Sequence, residues 1–129
     1  MTSQQENAIG TMGWADLTVG DAGKVKEFYA AVVGWKTTEV AMGDYSDFCM
    51  VSPAGDAVAG ICHARGENAK LPPQWLIYWY VEDLDRSLTE CAERGGKVIM
   101  QPKSYGGQGR YCVIQDPSGA AVALFQKAE

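Results

Sequence analysis

Histidine is nearly absent from this chain: His63 is the only one in 129 residues. The four cysteines, Cys49, Cys62, Cys91 and Cys112, are scattered and none sits in a C-x-x-C pair. That spacing carries neither a zinc signature nor a disulfide framework, and reduced thiols are the expected state. Lysine and arginine form no run, and the formal net charge is −5, which argues against nucleic acid and anionic membrane as partners. No apolar stretch approaches the roughly 20 residues of a membrane span. The opening Met1–Asn7 is polar, without the basic and apolar regions of an export signal, so a cytoplasmic location is expected.

What the chain does have is an echo of itself. Trp14-Ala15-Asp16-Leu17-Thr18-Val19-Gly20-Asp21 opens one half, and Leu76-Ile77-Tyr78-Trp79-Tyr80-Val81-Glu82-Asp83 opens the other. Ser52-Pro53-Ala54-Gly55-Asp56-Ala57-Val58-Ala59 is matched by Asp116-Pro117-Ser118-Gly119-Ala120-Ala121-Val122-Ala123. A repeat of about 60 residues is too long for a solenoid unit and too short for an independent domain. It implies two fused copies of one supersecondary module.

Each copy has the same punctuation. In the first, Gly13–Val19 alternates as a half-buried strand, with Leu17 and Val19 on one side and Trp14, Asp16 and Thr18 on the other. Asp21 then suits a helix N-cap, and Val25, Phe28, Tyr29, Val32 and Val33 follow at helical spacing as the core stripe, before Gly34 stops the helix. Strands are predicted over 35–41, 47–52 and 57–63, and the segment 64–73 reads as the connection between copies. The second copy predicts a strand over 74–81, a helix capped by Asp83 and ended by Gly95-Gly96, and strands over 97–101, 110–115 and 120–126. Parity puts Trp79 with Ile77 and Val81 on the helix side, in the core. The stretch Pro102–Arg110 is glycine-rich without Gly-Lys-Ser/Thr, so it predicts a mobile hairpin loop rather than a phosphate loop. Arg110 there is a candidate contact for an anionic substituent.

The order Asp16-Leu17-x-x-x-Asp21, Phe28-Tyr29, Gly34-Trp35, and Gly109-Arg110 leading to Asp116-Pro117-x-Gly119 resembles the vicinal-oxygen-chelate superfamily of glyoxalase, bleomycin-resistance and extradiol dioxygenase proteins. The chain looks most like that superfamily's small glyoxalase-related branch. The resemblance implies an α+β fold: two tandem βαβββ modules forming a curved mixed sheet, a cup, with the helices on its outer face. Residues 1–9 are then a frayed tail and 10–129 a single glyoxalase-like domain. Module one spans about 10–63, the linker 64–73, and module two 74–126. It also implies four metal ligands, which fall on Trp14, Leu76, Ala123 and either Ala59 or Gly60. None of these side chains can bind a metal, so no metal and no cofactor is expected.

A cup without ligands should be aromatic. Its expected lining is Trp14, Asp16, Thr18, Leu76, Tyr78, Tyr80, Tyr111, Ala123 and Phe125, a surface for a planar or aromatic small molecule. Asp16 is the only carboxylate expected there and the candidate general base. His63 reads as either a surface residue or a hydrogen-bonded structural one, on the face opposite Cys62. Three functions follow: a binding protein that holds a small molecule, a metal-independent lyase or isomerase working through Asp16, or a dimeric structural or regulatory module. A homodimer is expected from the resemblance.

Overall fold

A computed structural model describes residues 8–129, so the expected tail falls outside the described residues except at positions 8 and 9. The elements are β1 (Met12–Val19), α1 (Ala22–Val33), β2 (Lys36–Ala41), β3 (Ser46–Val51) and β4 (Ala57–His63), then β5 (Trp75–Tyr80), α2 (Leu84–Glu93), β6 (Lys97–Ser104), β7 (Gly109–Gln115) and β8 (Ala121–Lys127). The fold is therefore α+β, built as βαβββ twice. One turn of 3-10 helix, Gly66–Lys70, occupies the stretch expected to be plain connection. The chain forms two compact units, Ala15–Trp75 and the chain up to Trp14 together with Leu76–Glu129.

In the unit Ala15–Trp75 the strand order is β2-β3-β4-β1. β1 pairs with β4 in parallel, whereas β2–β3 and β3–β4 are antiparallel. The antiparallel pairs are joined by short turns, but a parallel pair needs a long connection, here supplied by α1, β2 and β3. Helix α1 starts as the sequence indicates, with the Asp21 carboxylate accepting the Lys24 N–H at 3.1 Å. It ends at Gly34, whose φ of 89° would strain any residue with a Cβ. The core is Leu17, Ala22, Met50, Ala59 and Ile61, with Val25, Tyr29, Ala30, Phe48, Trp35 and Trp75 packed against it. The helix stripe is thus rotated from the expected one. Phe28, Val32 and Val33 are 58%, 64% and 50% exposed, because α1 carries a wider apolar arc than one sheet face can cover.

The second unit has the equivalent order, β5-β8-β7-β6. β5 and β8 are parallel, and β7 pairs antiparallel with both β8 and β6. Asp83 caps α2 through the Arg86 N–H at 3.2 Å, and Gln126 on β8 accepts the Leu84 N–H at 2.7 Å. Leu84, Cys112 and Leu124 form the cluster under this helix, with Val81, Leu88 and Ile114 around it. Trp79 does share a strand register with Leu124, but it is 37% exposed and lies outside that cluster.

The Pro102–Arg110 stretch is not a long loop. β6 continues through Pro102 to Ser104 and the turn is only Tyr105–Gln108, closed by Tyr105 N–H to Gly109 O at 2.8 Å and Gln108 N–H to Tyr105 O at 3.0 Å. β6 is the edge strand of its unit and its register shifts between Met100 and Lys103, the setting in which a strand tolerates proline.

The fully buried Leu84 gives a direct test of the second core. Leu84→Ala should lower unfolding free energy by about 2–5 kcal/mol, measured by urea denaturation.

Candidate functional site

The face of the second unit's sheet away from α2 is aromatic. Strand alternation puts Leu76, Tyr78 and Tyr80 on that side of β5. Register then pairs Tyr78 with Ala123, Tyr80 with Phe125, and Phe125 with Tyr111. The rings meet at ordinary aromatic distances: Tyr78–Tyr111 at 6.0 Å, Tyr80–Phe125 at 6.0 Å edge-on. Tyr105 reaches in from the hairpin turn to Tyr111 at 6.0 Å and Phe125 at 5.9 Å, and is 54% exposed. The Lys103 ammonium lies 5.9 Å above the Tyr111 ring, a cation on a ring face. Two glycines make room for this set. A Cβ on Gly13 would fall 2.7 Å from the Tyr80 ring, and one on Gly109 would overlap both Phe125 and the Gln126 carbonyl.

Not every residue expected in the lining offers surface. Leu76 and Ala123 are 1% and 0% exposed and form closed apolar floor, while Trp14 is half-buried. Tyr105 adds a ring beyond the expected lining, since a tyrosine in a glycine-rich turn has no strand parity from which to infer its facing. Arg110 is occupied by Asp85 at 3.3 Å.

The corresponding face in the unit Ala15–Trp75 is polar. β1 pairs Asp16 with Gly60 and Thr18 with Cys62, and β3 pairs Cys49 with Gly60. Alternation places Asp47 on the same side as Cys49. Asp47 is thus a second carboxylate on a face expected to hold only Asp16. It is almost fully buried, and accepts the His63 backbone N–H at 2.9 Å. The His63 Nδ1 lies 3.2 Å from the same oxygen, and the Cys62 thiol also hydrogen-bonds Asp47. Cys62 and His63, though neighbours on a strand, are joined through one carboxylate. Burial raises the Cys62 pKa far above the ordinary thiol value, and the anions of Asp16 and Asp47 raise it further. Cys112 in the other unit is pushed up to about 11, chiefly by burial.

The four implied metal positions fail on chemistry. Trp14, Leu76 and Ala123 offer no donor, and register settles the fourth: Gly60, not Ala59, shares the face of Asp16. Among the described residues no three His, Cys, Asp or Glu side chains come together as a metal-holding group.

Comparison with known proteins agrees with this architecture. A family model described as Glyoxalase/Bleomycin resistance protein/Dioxygenase superfamily matches residues 11–124. Protein CFP32 of Mycobacterium bovis is 34% identical over 98% of this chain and 49% of its own length. Anthracycline biosynthesis protein DnrV of Streptomyces peucetius is 29% identical over 93% of the chain and 48% of its own. The chain therefore spans about half the length of these curated relatives. Among solved structures, methylmalonyl-CoA epimerase from Mycobacterium tuberculosis covers all of the chain (94% of its own) with a TM-score of 0.59 at 17% identity. A superfamily member from Vibrio splendidus covers 91% (100% of its own) with a TM-score of 0.60 at 17% identity.

The raised thiols have a pH consequence. A free thiol ionises at 9.0 and burial pushes the folded Cys112 up to about 11, so in that window the unfolded chain binds fewer protons. Stability should be intact below pH 9 and fall between those values, by up to about 1.4 kcal/mol per pH unit. Denaturant titrations of wild type and Cys112→Ala across that range should show a shallower slope in the variant.

Proposed function

Because the chain belongs to the glyoxalase/bleomycin resistance protein/dioxygenase superfamily, we propose that it is a small-molecule-binding protein whose aromatic sheet face takes a planar ligand. The observation that carries this reading is the cluster of Tyr78, Tyr80, Tyr111 and Phe125 with the exposed Tyr105 of the hairpin turn. Aromatic faces with phenol hydroxyls at their rim supply flat apolar area and directional polar contacts together. The similarity to an anthracycline biosynthesis protein favours a polycyclic aromatic ligand, since anthracyclines carry a fused planar ring system. No divalent metal takes part in this reading, for want of donors at the four positions.

A soluble anthraquinone is a suitable probe. Titration should quench tryptophan or tyrosine fluorescence saturably, and Tyr111→Ala should weaken binding by roughly 1 kcal/mol, about fivefold. Binding that survives removal of both Tyr105 and Tyr111 would overturn the assignment.

A catalytic variant of the same reading uses Asp16 as general base in a lyase or isomerase reaction. It is favoured by the position of Asp16 on a strand face with a second carboxylate and two thiols. Asp16→Asn would then abolish turnover of a converted ligand while leaving its affinity nearly unchanged.

The exposed Phe28, Val32 and Val33 of α1 support a homodimer, because adjacent apolar side chains in water favour burial against a partner. Light scattering should give twice the chain mass, reduced to the monomer by Val32→Glu.

A further inference from the structure

His63 and Asp47 form an arrangement that the aromatic face does not use. Nδ1 of His63 is directed at the Asp47 carboxylate, 3.2 Å away, and the same carboxylate oxygen also accepts the His63 backbone N–H. A carboxylate at that distance fixes the hydrogen on Nδ1 and leaves the lone pair on Nε2. Nε2 has no partner among the described residues, and the side chain is 23% exposed. Asp47, by contrast, is 7% exposed and held by three donors, so it cannot swing away.

The imidazole has aromatic walls. The Tyr45 ring stands edge-on at 5.5 Å and the Phe48 ring lies at 6.0 Å. Each wall carries a cation. Arg65 lies 4.0 Å above Tyr45, also paired with Asp44 at 3.6 Å, and Lys26 lies 4.9 Å above Phe48. A base with one free nitrogen, a buried carboxylate behind it and aromatic neighbours has the parts needed to remove a proton from a planar molecule.

We propose that His63 is a general base for a planar carbon acid, with Asp47 as its positioning residue. This site is independent of the ligand reading for the aromatic face. Nε2 takes the proton from an activated carbon, the C–H electron pair moves into the substrate, and the imidazolium is held by Asp47 until it returns the proton to water.

The probe 5-nitrobenzisoxazole tests this step directly. On proton removal the C–H pair forms the nitrile, the N–O bond breaks, and a coloured nitrophenolate results with no other reactant. The full chain should convert it faster than an equal concentration of free imidazole. His63→Gln should return the rate to that of buffer, a loss of about 100-fold. Asp47→Asn should lower kcat by about tenfold or more while KM stays nearly constant, the split expected of positioning rather than of binding. Should Asp47→Asn fail to fold, carbethoxylation of the wild-type chain replaces it, since there is only one histidine. Activity should disappear in proportion to imidazole modified and return with hydroxylamine. A wild-type rate no greater than that of free imidazole, or a His63→Gln variant as active as wild type, would overturn the proposal.

Discussion

The parallel pairing of the first and last strand in each module is the constraint on which the other features depend. A parallel pair cannot be closed by a hairpin, so the chain between β1 and β4, or between β5 and β8, must leave the pair and return. In both modules it does so with one helix and two antiparallel strands. The helix then covers one face of its sheet and leaves the other uncovered by that helix. The pairing also fixes which residues share a face: Asp16 with Gly60, Thr18 with Cys62, Tyr78 with Ala123, Tyr80 with Phe125. A slip of one residue would exchange the faces of every side chain in the strand.

From one architecture the two modules have acquired opposite chemistry. The face with Tyr78, Tyr80, Tyr111 and Phe125 is a surface of rings, whereas the corresponding face with Asp16, Thr18, Asp47 and Cys62 is a polar network around a buried carboxylate. Burying Asp47 would be costly if it were unpartnered, and its three donors offset that desolvation. The same anion and the same burial keep the Cys62 thiol protonated, so that cysteine is a hydrogen-bond donor and not a nucleophile. Fold similarity says nothing of this division, because function is carried by the side chains grafted on a fold.

Much of this was legible in the residues. Period-two alternation located the strands, Asp21 and Asp83 marked the helix starts, and Gly34 marked a helix end. The repeat gave the duplicated plan, and the replacement of the implied ligands by Trp14, Leu76, Ala123 and either Ala59 or Gly60 was visible in the residues, with register deciding for Gly60. Less legible were features that depend on reach rather than period. The apolar arc of α1 contains more candidates than its sheet can cover, and only packing selects Val25, Tyr29 and Ala30 over Phe28, Val32 and Val33. Trp79 has the parity of a core residue, yet it is 37% exposed and outside the cluster beneath α2, because parity fixes the face and not the cover.

The sequence by itself determined the local order: which segments are strands or helices, where the helices start, and the absence of donors at the implied ligand positions. These follow from interactions between near neighbours in the chain, where caps, turns and alternation act. Tertiary structure alone decided that Asp47, sixteen positions before His63, would join it and Cys62 in one network, and that Tyr105 would complete the aromatic cluster. Those contacts depend on strand register and hairpin geometry, which bring together residues that local propensity leaves unconnected.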